Sequence, residues 1–169
     1  MSFDEIIPRF GTNCEKWDCM EQIYGLPAAT GLPMWVADMD FRPPAVVQDA
    51  VEKMAAHGVY GYFGDDRAYL AAIRWWMAER HGWAVEPDWI FTTHGLVNGA
   101  AICIDTFTKP GDGVILMTPV YHAFARIIKA AGRTVVECPL AVRDGLCRLN
   151  IEAWDAAMTG GERMLILCS

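Results

Sequence analysis

With 169 residues, 53% of them apolar, the chain is long enough to bury a core and too hydrophobic to stay disordered. A formal charge of −7 without a basic stripe disfavours a nucleic-acid partner. The apolar runs stop short of a membrane span, as residues 99–104 do at Asp105, and Asp4, Glu5 and Arg9 do not suit a signal peptide.

Residues 1–32 hold Pro8, Gly11, Gly25, Pro27 and Gly31 with no sustained period, so they read as an irregular arm. Residues 9–18 crowd aromatic and charged side chains together; such an arm clasps either a partner subunit or its own domain. Residues 32–41, apolar with two acids, are expected to be extended. Pro43-Pro44 then open a helix whose apolar residues Val47, Ala50, Val51 and Met54 share one face, which is expected to be buried. Gly58 ends it. Residues 58–64 interleave three aromatics with three glycines, either as a plug on a core edge or as a functional loop. A second helix over 66–81 buries Leu70, Ile73 and Met77 and stops at Gly82.

From Trp89 the pattern becomes a regular alternation. Strands are expected at 90–93, 114–118, 134–138 and 164–168. Helices are expected between them at 97–108, 124–131 and 151–158, the last with Asn150 as its N-cap. Strands joined through helices imply right-handed crossovers and a mostly parallel sheet, with ligands gathering at the carboxyl ends of its strands. Because the sequence stops on an apolar strand pattern, where a ligand loop would begin, it is expected to be part of a longer protein.

Residues 90–101 carry the first chemical signal: an apolar run, Gly95, then a helical pattern. Such a turn presents backbone N–H groups and a helix N-terminus to an anion, although glycine turns of this kind are common in α/β proteins. Tyr121 follows Thr118-Pro119 at another strand end. It is either a rim residue packed on the sheet or a flat face for a planar ligand. A stacked ring beside a held phosphate fits pyridoxal phosphate or a nucleotide. Cysteines 14, 19, 103, 138, 147 and 168 include no C-x-x-C pair and read as reduced thiols packed as small hydrophobes, the pattern of a cytoplasmic protein. Histidines 57, 81, 94 and 122 lack ligand spacing, so no metal is expected.

Five segments occur in order: RFGTNCEKWD (9–18), LPMWVADMDF (32–41), GVYGYF (58–63), TTHGLVNG (92–99) and TPVYHAF (118–124). Together they resemble the N-terminal part of the fold-type-I pyridoxal-phosphate enzymes of the aminotransferase class I/II superfamily. Within it they are most similar to the MalY/PatB type of cystathionine (cysteine-S-conjugate) β-lyases. The resemblance implies an α/β fold, with an arm and interface segment over residues 1–42 and the first, incomplete part of a cofactor-binding large domain over 43–169. It implies that the backbone of Gly95, Leu96 and Val97 holds the phosphate of pyridoxal phosphate and that Tyr121 stacks on its ring. Tyr62 would reach in from a neighbouring subunit, making a homodimer, and residues 35–41 would run along the side of an amino-acid substrate. Leu96 and Val97 carry no hydroxyl, so the phosphate would rest on main-chain N–H groups, with Thr93 as a possible helper.

The implied reaction is C–S β-elimination to thiol, pyruvate and ammonia. Transamination on the same scaffold is the alternative, and a non-catalytic phosphate- or nucleotide-binding module is a second. A covalent lysine and a carboxylate at the pyridine nitrogen are placed by the family further along the chain. None of Lys16, Lys53, Lys109 and Lys129 fits the family's lysine motif, so no catalytic residue is named here.

Overall fold

Where the sequence carries no sustained apolar period, the structure forms only short helices. In the computed structural model, which describes residues 3–168, the arm holds α1 (Glu15–Asp18) and α2 (Met20–Tyr24). The outermost positions of the two expected segments, residues 1, 2 and 169, lie outside the described ones. The chain divides into two compact units, Met1–Gly64 and Asp65–Ser169.

In the first unit, α3 (Ala45–His57) starts after Pro44 and ends at Gly58, whose φ of 72° suits a residue without a Cβ. The expected burial of its apolar face does not occur. Val47, Val51 and Met54 are all exposed, Val51 at 62%. Helical periodicity reports that a face is apolar, not what covers it, and among the described residues nothing buries the stripe. With Tyr60 the stripe forms an open apolar cleft of about 590 Å³ between Val46, Ala50, Met54 and Ala55.

The second unit begins with α4 (Arg67–His81), in which Leu70, Ile73 and Met77 are the half-buried residues, as their spacing requires. A 3₁₀ turn follows at Pro87–Trp89. Residues 90–93, expected as a strand, form no ladder. Ile90 has extended geometry (φ −102°, ψ 120°), but a strand exists only through hydrogen bonds to a neighbour, and among the described residues none pairs with this segment. Next come α5 (Leu96–Phe107), β1 (Gly113–Thr118), α6 (His122–Ala130) and β2 (Thr134–Pro139). A hairpin of β3 (Ala141–Arg143) and β4 (Leu146–Arg148) leads to α7 (Ile151–Ala157) and β5 (Glu162–Ile166).

The main sheet has the order β2-β1-β5 with both pairings parallel, so the α/β class expected from the strand–helix alternation is the observed one. Val114 lies opposite Val135 on one side and Met164 on the other. The apolar face of α6 presents Phe124 and Ile128 to Val114 and Leu116 of β1, and Ile104 of α5 completes this core. Burying each of the larger of these side chains contributes about 1.5–3 kcal/mol. β5 starts two residues before the expected strand because the Glu162 carboxylate accepts the N–H groups of Thr159 (3.0 Å) and Gly160 (2.9 Å), which fixes the turn ahead of it. Those bonds hold the Glu162 carboxyl below its ordinary pKa. Asn150 sits at the N-cap of α7, but its side chain makes no capping bond.

Arg133 staples the end of α5 to the loop before β2. Its buried guanidinium donates to Thr108 Oγ1 (2.9 Å), Thr108 O (2.8 Å) and Ala131 O (2.5 Å) and pairs with Asp105 (3.0 Å).

Candidate functional site

The site starts at the turn between residues 93 and 96. Gly95 occupies the N-cap of α5 at φ 93° and ψ 152°, a conformation that L-residues with a Cβ seldom adopt. A Cβ built there would meet no atom within 4 Å, so the space before the turn is open to a ligand. The Gly95 N–H donates to Thr93 O (2.9 Å), and its carbonyl accepts both the Gly99 N–H (3.1 Å) and the Thr93 hydroxyl (3.1 Å).

No side chain caps α5, and its first turn holds no acidic residue. The first N–H groups of a helix have no carbonyl partner within it, and the helix dipole adds partial positive charge at the same place. Leu96 is exposed and Val97 half-buried, so neither side chain supplies a polar atom and the available donors are main-chain ones. Asn98, the next residue of that first turn, brings a further N–H that reading the turn as Gly95, Leu96 and Val97 left out. This donor set suits a phosphate, which takes several N–H bonds at once.

Tyr121 stands at the N-cap of α6, just past the cis Thr118-Pro119 bond, half exposed. Its ring meets Phe124 edge-on (centroids 5.7 Å apart, planes at 90°) and His122 (5.0 Å, 65°). Phe124 belongs to the core, so the orientation of the Tyr121 ring is set from below. Chain geometry brings this ring and the Gly95 turn to one end of the sheet. The twelve residues of α5 rise about 18 Å and the six of β1 return about 20 Å, which sets the start of α5 level with the end of β1. Ala100 of α5 and Val120, beside Tyr121, accordingly pack on the same core. A planar ligand carrying a phosphate fits the arrangement: an anion cradle, and a flat aromatic face at the same sheet end.

No lysine of the second unit joins them. Lys109 lies in the turn after α5 and Lys129 in the last turn of α6, both at the other end of the layer, while Lys16 and Lys53 belong to the first unit. Tyr62 also belongs to the first unit, on the 58–64 loop, with its side chain fully exposed. Among the described residues no group of three metal-ligating side chains occurs, and all six cysteines are free thiols.

The first unit holds a polar cluster that the residue pattern alone did not disclose. Arg9 forks onto Asp38 and Asp40, and the nearly buried Lys16 ammonium donates to Asp38 O (2.9 Å) and Asp40 Oδ2 (2.8 Å). Trp17 Nε1 donates to Asp40 Oδ1 (3.0 Å) and Trp35 Nε1 to Lys16 O (3.0 Å). The Lys16 and Trp17 hydrogen bonds hold the Asp40 carboxyl below its ordinary range, and the Asp38 bond raises Arg9. Segments 9–18 and 35–41 are thereby zipped together, the cations Arg9 and Lys16 of the first meeting the acids Asp38 and Asp40 of the second.

Known proteins match this chain along nearly its whole length. Cystathionine beta-lyase PatB of Bacillus subtilis (strain 168) is 36% identical over 100% of this chain and 43% of its own. Protein MalY of Escherichia coli (strain K12) is 28% identical over 99% and 43%. The crystal structure of cystalysin from Treponema denticola, which contains a pyridoxal 5'-phosphate cofactor, superposes with a TM-score of 0.89 at 33% identity, over 99% of this chain and 43% of that one. The chain therefore spans less than half the length of these relatives. The family model for aminotransferase class I and II matches residues 36–169, and the chain belongs to that family.

Proposed function

We propose that this chain is the N-terminal portion of a pyridoxal-phosphate enzyme that acts on amino acids by C–S β-elimination, releasing thiol, pyruvate and ammonia. The observation that carries the reading is the uncapped start of α5 behind Gly95, at the same sheet end as Tyr121. Main-chain N–H groups of Leu96 and Val97 bind the phosphate at the Gly95 turn, whose own N–H is held by the Thr93 carbonyl, and Tyr121 covers one face of the ring. Once bound, the cofactor supplies an electron sink for bond breaking at the substrate α-carbon. This chain's part is to bind and orient it, since neither lysine of the second unit, Lys109 or Lys129, lies at that end.

The likeness to the cystathionine beta-lyase PatB supports a lyase over other activities of the family. The fully exposed side chain of Tyr62 supports a homodimer in which it completes the partner's phosphate site. Six free thiols support a reducing, cytoplasmic setting, and no helix among the described residues is long and apolar enough to cross a membrane.

The test is to incubate the full-length protein with cystathionine and no keto acid. Pyruvate and ammonia in equal amounts are expected. Turnover that needs an added keto acid would assign an aminotransferase instead, and failure to bind pyridoxal phosphate would remove the reading altogether.

A further inference from the structure

Glycine at φ 93° is free to rotate its following peptide, so a turn that must aim N–H groups needs something to hold that peptide still. The Gly95 carbonyl and the Leu96 N–H belong to one planar trans unit, in which they point in opposite directions. Two donors fix the carbonyl: the Gly99 N–H at 3.1 Å and the Thr93 hydroxyl at 3.1 Å. Position 99 matters in a second way. A Cβ built on Gly99 would stand 2.9 Å from Thr93 Oγ1, 3.6 Å from its Cγ2 and 3.7 Å from its Cβ, so the nearest atoms to it all belong to Thr93.

We propose that Thr93 and Gly99 form an interlock that positions the phosphate cup: the notch left by the missing Cβ of Gly99 seats the Thr93 hydroxyl, which holds the Gly95 peptide with its Leu96 N–H aimed outward at the ligand. The inference rests on the reading that this helix end receives the cofactor phosphate. Thr93 touches no ligand in this role; it is a positioning residue. Gly99 is retained at a cost, because glycine inside a helix is disfavoured relative to alanine, and the interlock accounts for that cost.

The experiment measures the affinity of the full-length apoprotein for pyridoxal phosphate and for phosphate-free pyridoxal, together with its thermal midpoint. Loss of one neutral hydrogen bond predicts about a threefold to tenfold weaker hold on pyridoxal phosphate in Thr93→Val and in Gly99→Ala, with pyridoxal affinity unchanged. Thr93→Ser, which keeps the hydroxyl, retains wild-type affinity. Gly99→Ala does not lower the midpoint, since alanine favours the helix, so its loss of affinity is not a folding defect. The double variant Thr93→Ala with Gly99→Ala binds no more weakly than Thr93→Ala alone, because both changes break the same bond. Wild-type affinity in Thr93→Val, an equal loss for pyridoxal, or additive losses in the double variant would overturn the interlock alone. A wild-type protein with no affinity for pyridoxal phosphate would overturn the parent reading and the interlock with it.

Discussion

A Cβ added at Gly95 would meet no atom within 4 Å, so the effect of Gly95→Ala comes from the backbone, which must hold φ at 93°. An L-residue there costs about 1–3 kcal/mol. Urea unfolding of the protein should show that loss, accompanied by weaker binding of pyridoxal phosphate. Phe124 behaves in the opposite way, because packing sets its worth. It lies in the core and props the Tyr121 ring, so Phe124→Ala should cost about 3–5 kcal/mol by the same measurement. These two positions also show what single residues disclose before folding. A glycine between an apolar run and a helical pattern advertises its own turn, and an aromatic after proline advertises a strand end. The Thr93–Gly99 contact advertises nothing, because it depends on where a hydroxyl lands after the chain has turned. Arg133 is similar: its three contacts with Thr108 and Asp105 lie in segments that only folding brings to it.

At the level of elements, the zipper between residues 9–18 and 35–41 makes a pH-dependent prediction. The Asp40 pKa is lowered in the folded chain, first by the Lys16 hydrogen bond and then by that of Trp17. A depressed carboxyl adds stability that is fully present above its unfolded pKa and is lost as pH falls through the folded one. The first unit should therefore loosen as pH drops below about 4, the ordinary range of an aspartate. The indole N–H resonance of Trp17 reports this directly: it should titrate there in the wild type and be insensitive in Asp40→Asn. The helices from α3 onward were legible to within a residue or two because a 3.6-residue stripe and a terminal glycine are local signals, whereas α1 and α2 carry no such stripe. The β3–β4 hairpin was legible as well, though not recognised: Asp144 and Gly145, both at positive φ (52° and 72°), are the Asp-Gly pair of a two-residue hairpin turn. Residues 90–93 and the stripe on α3 mark the limit. A strand needs a neighbour and an apolar face needs a cover, and neither property resides in the segment itself.

For the molecule as a whole, the fold class followed from alternation, since parallel strands need a long crossover and the intervening helices supply it. The order of the sheet has a kinetic consequence. β1 pairs with β2 across a single helix, as Val114 does with Val135, whereas its pairing with β5, as of Ile115 with Leu165, closes a loop more than twice as long. Each doubling of a flexible loop adds about 0.6 kcal/mol of closure entropy, and the β1–β5 register is further interrupted between Gly113 and Val114. β1, α6 and β2 should therefore assemble first and separate last, with β5 joining as the late, labile edge. Hydrogen exchange of the native protein should show the amides of residues 162–166 opening at lower free energy than those of 114–118, and equal protection of the two strands would refute this order.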